Sequence, residues 1–422
     1  MTITLTGNLR LDVDIPLLNG ECFEVEWKPG VHAKLKLEGY LQPEVTWNMA
    51  QVYGSNIKIW LEEDGGEQVL FHGLLKDISE KTIAGTRKIY IEGISASSLL
   101  DQKEYSRSFQ NVNKSYYNII QEITEADNGQ VICTADKTLK PEKPTIQYKE
   151  TNWDYSRRLA SHLGVILIPD IETGDPNFWI GMRKGETVPS FSEAWYLAEL
   201  DTERVQYWVR STESYQLGDK TTFLGGDVIL HEKLIQYQNG ELQYCYLLGD
   251  EMINSITGWD KEEFTGLCLD GTVQAVEGEF LSLVLDIDNG TTTGEFFYEW
   301  LPETGNILYA MPEVGSPVSL YFSSTNEQDG IAVHCLHRKP SKQHKKSDYK
   351  YRSFDVLGNQ SIMLSQGSAA LSKSSKHELC VRDKAVVSKT SKHLKISAEG
   401  DVKLKAKLLT LITPDEIVVC KG

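Results

Sequence analysis

The sequence predicts a mainly β protein with a small α+β part, and three observations carry that expectation. Short apolar–polar alternations recur through residues 1–100, 200–255 and 265–338, and a period of two marks strands that bury one face and wet the other. Helical stripes are confined to two segments between residues 101 and 195. The third observation is the ribbon from Leu394 to Ile412. Leu394, Ile396, Ala398, Val402, Leu404, Ala406, Leu408 and Ile412 stand at even positions, with Lys395, Ser397, Glu399, Lys403, Lys405 and Lys407 between them. Charges at every second residue break any helical stripe. A lone extended ribbon cannot bury its apolar face in water, so its partner is the rest of the chain or other copies of it.

Residues 1–100 read as a first small barrel. Lys34–Gly39 and Ile57–Glu62 alternate, and Glu63-Asp64-Gly65-Gly66 has the composition of a hairpin turn before Val69–Phe71. Residues 101–195 form an α+β insertion. Ser115 caps a helix with Tyr116, Ile119, Ile120 and Ile123 on one side; Thr151, with Asp154 three residues on, caps a second carrying Tyr155, Leu159 and Leu163, and Gly164 is placed to end it. Val165–Asp170 reads as a buried strand.

Residues 196–262 form a second β-barrel. The stretch FLGGDVILHEKLIQYQNGELQYCYLLGDE echoes EDGGEQVLFHGLLKDISEKTIAGTRKIYIEGISA in its glycine turn, strand, histidine and long second strand. Identity is low, which leaves both an internal duplication and chance similarity open. Residues 263–340 hold five short strands, the number of an OB-type barrel. Residues 341–350 are a polar, basic linker, and 351–422 make the β-repetitive tail.

Composition bounds the function. The formal net charge is -17 over 422 residues, which argues against non-specific nucleic-acid binding. From Ser341 onward there are about 16 Lys/Arg against about 8 Asp/Glu, so the tail is roughly +8 and the remainder roughly −25. Seven scattered cysteines without a CxxC pair read as reduced thiols. The N-terminal residues lack the pattern of a signal peptide, and no window reaches the apolar length of a membrane span; the expectation is cytoplasmic assembly.

Candidate chemistry is sparse. His334-Cys335-Leu336-His337, with His344 nearby, is the one metal-like cluster; on a strand His334 and His337 face opposite ways, and exposed imidazoles at a strand end are the commoner reading. Glu62-Glu63-Asp64 and Glu122 with Glu125 offer paired carboxylates of the kind glycoside hydrolysis uses, yet acidic turns and helix faces are far more frequent. Phe296, Phe297, Tyr298 and Trp300 can stack bases or sugars, or fill a barrel core. Lys403, Lys405 and Lys407 can meet an anionic membrane or solvate a needle. Without GxSxG, Walker or GxGxxG motifs, the chain is expected to have no catalytic residues, cofactor or metal.

Two motifs carry a resemblance. SRSFQN (Ser106–Asn111) with YKETNWDYSRRLASHLG (Tyr148–Gly164) resembles the hub region of contractile-tail spike proteins, namely the VgrG proteins of type VI secretion and the baseplate hub-spikes of myophages. FFYEWLPETGNILYAMPEVGSPVSLYF (Phe296–Phe322), with Met311-Pro312-Glu313-Val314-Gly315 at its centre, resembles their OB-type domain. The order hub, OB domain, needle covers nearly the whole chain.

The resemblance implies a homotrimer with tandem hub β-barrels, an OB-fold adaptor and a C-terminal β-helix or β-prism needle. Its core residues would be Leu394, Ile396, Val402, Leu404, Leu408 and Ile412. It also implies as partners a hexameric inner tube protein, baseplate proteins, possible effectors as cargo and a target membrane pierced mechanically, with no nucleic acid. The tail lacks a clear Val-Gly octad repeat, which points to a phage-like tail, a bacteriocin or another contractile machine. No lysozyme-like insertion stands before the needle, and IVVCKG carries no His-x-His pattern, so a separate PAAR-type tip protein is expected. A different reading is a trimeric tail-fibre-like protein that binds or hydrolyses carbohydrate.

Overall fold

The computed structural model describes residues 2–418 except 64, 202–203, 251–255, 257, 291–293, 303–309, 337–349, 357–358 and 415. The chain divides into two compact units, Met1–Leu336 and His337–Gly422.

The first unit opens with β1 (Thr2–Thr6), β2 (Leu9–Val13), β3 (Leu17–Trp27), β4 (Lys34–Leu41), the short helix α1 (Met49–Val52), β5 (Asn56–Glu63), β6 (Gly66–Ile83) and β7 (Thr86–Ser95). An insertion follows, with β8 (Glu104–Phe109), α2 (Tyr116–Glu125), β9 (Val131–Cys133), β10 (Thr145–Thr151), α3 (Asn152–His162), β11 (Leu167–Pro169) and β12 (Phe178–Ile180). Then come β13 (Tyr196–Asp201), β14 (Arg204–Ser211), β15 (Lys220–Phe223), β16 (Gly226–Gln238) and β17 (Glu241–Gly249). Strands from both β-rich stretches belong to one antiparallel sheet of twelve, ordered β1-β2-β5-β6-β7-β4-β3-β16-β17-β14-β13, with β15 beside β16. The two halves meet where Val25 of β3 stands opposite Ile235 of β16. Strand alternation is clear in β4, KLKLEGYL, which turns Leu35 and Leu37 inward and its lysines outward.

The strand order repeats. β5-β6-β7-β4-β3 in the first half matches β15-β16-β17-β14-β13 in the second. Both long hairpins carry a bulge, between Leu75 and Asp77 in one and between Leu230 and Glu232 in the other. Both turn on two residues of positive φ, Ala84-Gly85 and Asn239-Gly240, the geometry that matches the twist of paired strands. The match therefore runs from the bulge to the turn. The glycine pairs and histidines that align in the sequence lie at different distances from the bulge, because β6 is the longer strand on that side.

Helix boundaries follow their caps. Ser115 Oγ accepts from the Asn118 N–H at 3.3 Å, and Thr151 Oγ1 from the Asp154 N–H at 3.1 Å, each satisfying an otherwise orphaned donor. Gly164, at φ +72°, follows α3, where a Cβ would be strained. The helices share a core with the small β11-β12-β9 sheet, centred on Ile119, Ile120, Trp153 and Leu159.

The first unit ends in a five-stranded sheet: β18 (Cys268–Glu277), β19 (Phe280–Leu285), β20 (Phe297–Glu299), β21 (Pro317–Phe322) and β22 (Gly330–Cys335), ordered β20-β19-β18-β21-β22. A parallel bridge between Trp300 and Ala332 brings its two edges together. Leu269, Val273, Leu281, Leu283, Leu320 and Phe322 fill the interior.

The second unit is a meander of β23 (Arg352–Val356), β24 (Gln360–Ser365), β25 (Ser368–Lys373), β26 (His377–Arg382) and β27 (Ala385–Lys389), paired in chain order. Ala370 and Cys380 are buried in it. Phe354, Ile362, Leu371 and Leu379 line up across four strands and are exposed. The ribbon from Leu394 to Ile412 carries no ladder in a single chain, although its alternation predicts a strand. A strand needs a neighbour for its backbone groups, and among the described residues this apolar face is exposed.

Candidate functional site

The stretch Tyr148–Gly164 builds a joint. β10 and α3 place one face of the helix, with Tyr155 and Leu159, in the insertion core, and the same helix turns Arg158 toward the β18–β22 sheet. Arg158 Nε and Nη2 donate to the two carboxylate oxygens of Glu150 at 3.1 and 2.9 Å, Nη1 donates to Glu327 Oε1 at 2.7 Å, and Nη2 also reaches the Ile146 carbonyl at 2.9 Å. All three charged side chains are buried. Glu327 in turn accepts the Ile146 N–H at 2.5 Å. The guanidinium lies 5.0 Å from the Tyr155 ring and 5.8 Å from that of Phe264. Burial opposes its charge, but the adjoining Glu327 and Glu150 carboxylates outweigh that and hold its pKa above the ordinary arginine value.

The other motif, SRSFQN, supplies the joint's second clasp. Ser108 donates its N–H and hydroxyl to the two oxygens of Asp288, both at 2.6 Å, and Gln110 Nε2 donates to the Leu283 carbonyl at 3.0 Å. Lys261 Nζ donates to the Tyr148 carbonyl at 2.6 Å. These clasps are directional polar contacts out of water, which fix one geometry rather than a range. Sequence reasoning found Arg158 and Ser108 inside motifs but missed Glu327 and Asp288. Each lies far along the chain in an ordinary acidic turn, and no local pattern sets them apart.

The remaining candidates do not converge. Glu62 pairs with Arg10, Glu122 with Lys114, and Glu125 accepts from Gln121, all at the surface; Asp64 lies outside the described residues. His334, at φ +50°, and Cys335 are exposed at the end of β22, and His337 and His344 lie outside the described residues. Among the described residues no three His, Cys, Asp or Glu side chains gather as metal ligands. Tyr298 is buried in the sheet interior with Phe296 and Trp300 against it, while Phe297 faces outward. Lys403, Lys405 and Lys407 are exposed. The six ribbon residues Leu394, Ile396, Val402, Leu404, Leu408 and Ile412 are all exposed, from 54% at Val402 to 91% at Ile412. No described helix is long and apolar enough to cross a membrane.

A hub of paired antiparallel β-repeats, clasped through an α+β insertion to a five-stranded sheet, is the fold of the VgrG-like hub-spike proteins. Residues 35–176 match the family of the phage tail baseplate hub, GPD. The E. coli c3393 protein, described as a component of the type VI secretion system similar to T4 bacteriophage tail proteins gp27 and gp5, superposes with a TM-score of 0.56 at 11% identity, covering 77% of this chain and 99% of that one. The Francisella PdpA-VgrG complex, half-lidded, gives 0.54 at 9% identity over 88% of this chain and 84% of that one. The lidless PdpA-VgrG complex gives 0.56 at 8% identity over 88% and 94%. No curated protein matches. The resemblance seen in the two sequence motifs is thus borne out at the level of fold, with residues 35–176 matching the tail baseplate hub family.

Proposed function

We propose that this chain is the structural hub-spike of a contractile injection system. Three copies form the hub under a hexameric inner tube, bind baseplate proteins, and braid their tails into a needle capped by a separate tip protein. Residues 1–100 and 196–262 act as the paired hub repeats and 101–195 as their insertion. Residues 263–340 are the adaptor, 341–350 the linker and 351–422 the needle. Assembly takes place in the cytoplasm, and contraction of a sheath drives the needle mechanically through a target membrane. The free energy comes from the sheath, so the role asks for no catalytic residue.

The observation that carries this reading is the uncovered apolar face of the tail. Leu394, Ile396, Val402, Leu404, Leu408 and Ile412 stay in water in one chain, and at about 25 cal/mol per Å² their burial between copies is a large driving force. Braiding also pairs the open backbone edges. Light scattering on the purified chain is expected to give the mass of three chains. Leu404→Asp, which would set three carboxylates on the needle axis, is expected to prevent that assembly; a normally assembled Leu404→Asp trimer refutes the inward assignment.

A further inference from the structure

Three of the places where the α+β insertion meets the rest of the first unit carry a half-buried histidine. His32 stands in the turn between β3 and β4, which docks on β11 through the Gly30 N–H, donated to the Leu167 carbonyl at 2.7 Å. Its ring lies 4.5 Å from that of Trp153 in α3, with Nδ1 2.8 Å from Ser97 Oγ and Nε2 3.4 Å from Asp101 Oδ2. His72 is on β6, and its own N–H donates to the Ile171 carbonyl of the insertion at 2.6 Å. His162 closes α3. Its ring stacks on Tyr116 at 5.4 Å, and the Trp259 N–H donates to the neighbouring Ser161 Oγ at 3.0 Å.

Backbone packs directly on two of these rings. A Cβ on Gly174 would stand 2.4 Å from His72 Cε1, and one on Gly258 would stand 2.9 Å from His162 Nδ1. A charged ring in such a place gathers water only if the chain moves away from it. The groups facing each ring have both signs. His32 faces Asp101 beside it, and Asp154 and Arg157 on α3. His72 faces Lys58 on β5, the Glu172 carbonyl, and Asp175 and Asp170 beyond β11. His162 faces Arg158 on its own helix and Asp260. At all three burial is the largest influence and lowers the pKa; the cations add to it and the carboxylates offset it only in part. The ordinary value is about 6.5. A folded value below that leaves stability untouched at higher pH and withdraws it as pH falls through about 6.5.

We propose that the insertion is a proton-sensitive element, whose seams with β3–β4, with β6 and with the segment before β18 open when His32, His72 and His162 are protonated together. Neutral pH locks the seams, because the neutral rings fit their sites. Mild acid sets three like charges into one small element at once, and separation from its neighbours is what lets water reach them. The sheet cores around Leu37 and Leu320 contain no such group and stay closed. The device lies within one subunit, so it acts whatever number of copies assembles.

Hydrogen–deuterium exchange of the full chain at pH 7.5 and 5.5, read peptide by peptide and corrected for the chemical exchange rate at each pH, tests this. Peptides that carry the seam donors Gly30, His72 and Trp259 are expected to exchange roughly ten-fold faster at the lower pH, while those that carry Leu37 and Leu320 keep their rates. His32→Gln, His72→Gln and His162→Gln together should remove the pH dependence, and each alone should reduce it most at its own seam. The single variants keep the test valid if the triple variant does not fold. Seam exchange that is equal at the two pH values, or that keeps its full pH dependence in every single variant, overturns the proposal. Acceleration at Leu37 and Leu320 as large as at the seams also overturns it, because that is acid unfolding of the whole unit.

Discussion

Removing the charge of Arg158 should unfasten the α+β insertion from the β18–β22 sheet, and Arg158→Met does so at nearly constant volume. The substitution deletes four hydrogen bonds, two to Glu150, one to Glu327 and one to the Ile146 carbonyl. It leaves two carboxylates at 7% and 4% side-chain exposure without their counter-ion. Breaking one side of a buried pair in this way costs about 3–5 kcal/mol, far more than a surface pair such as Arg10–Glu62 returns. For a unit of this size that is a fall in Tm of roughly 4–7 °C.

The pH dependence gives the mechanism away. Burial already raises the pKa of Glu327 with Arg158 opposing that rise, so in the variant its folded pKa lies further above the unfolded one, and the stability it contributes is present below the unfolded pKa and is lost as pH rises. The deficit against the parent should therefore be largest near neutrality and shrink toward pH 4. Replacing all three residues, as Arg158→Met, Glu150→Leu and Glu327→Leu, should recover most of the loss. Urea unfolding followed by tryptophan fluorescence, at pH 4.5 and 7.5, measures all of this. A midpoint shift that is small, or equal at both pH values, would refute the reasoning.

Three further outcomes follow from single observations. Lys233 is buried on β16, donating to Ser214 Oγ and the Tyr215 carbonyl, and burial pushes its pKa down to about 7; the hub should therefore lose several kcal/mol of stability as pH falls from 10.5 to 7 and little more below, a slope Lys233→Met removes in urea titrations. Ala84, at φ +48° beside Gly85, sits where the second repeat has Asn239, so Ala84→Asn should raise stability by up to about 1 kcal/mol in the same assay. Gly73→Ala would put a Cβ 2.3 Å from the Ile94 carbonyl oxygen and should lower the Tm by several degrees, since backbone on both sides must shift.

Much of the fold was legible because local physics decides it. Ser115 and Thr151 announce their helices by capping chemistry, and the alternation in β4 follows from one wet face. The sheet of β18–β22 was legible as five short strands. What the sequence hides is what depends on distant partners. Nothing local tells Glu327 apart from other acids, although it closes the joint across 169 positions. The repeat was visible only as an echo, aligned on Gly65-Gly66 and Gly225-Gly226. Pairing register, which the structure shows through bulges and turns, is a property of two strands and is not written in either.

The ribbon from Leu394 to Ile412 shows the same limit from the other side. Its sequence demands a partner on one face and water on the other, yet a single chain satisfies only the second demand. β13 presents the same imbalance: its Leu200 is 74% exposed, while Trp27 of β3, the strand in the matching place of the first repeat, is 7% exposed with β16 beside it. Two exposed apolar surfaces at separate points of the chain, one with its covered equivalent alongside, are what the proposed assembly of copies would cover.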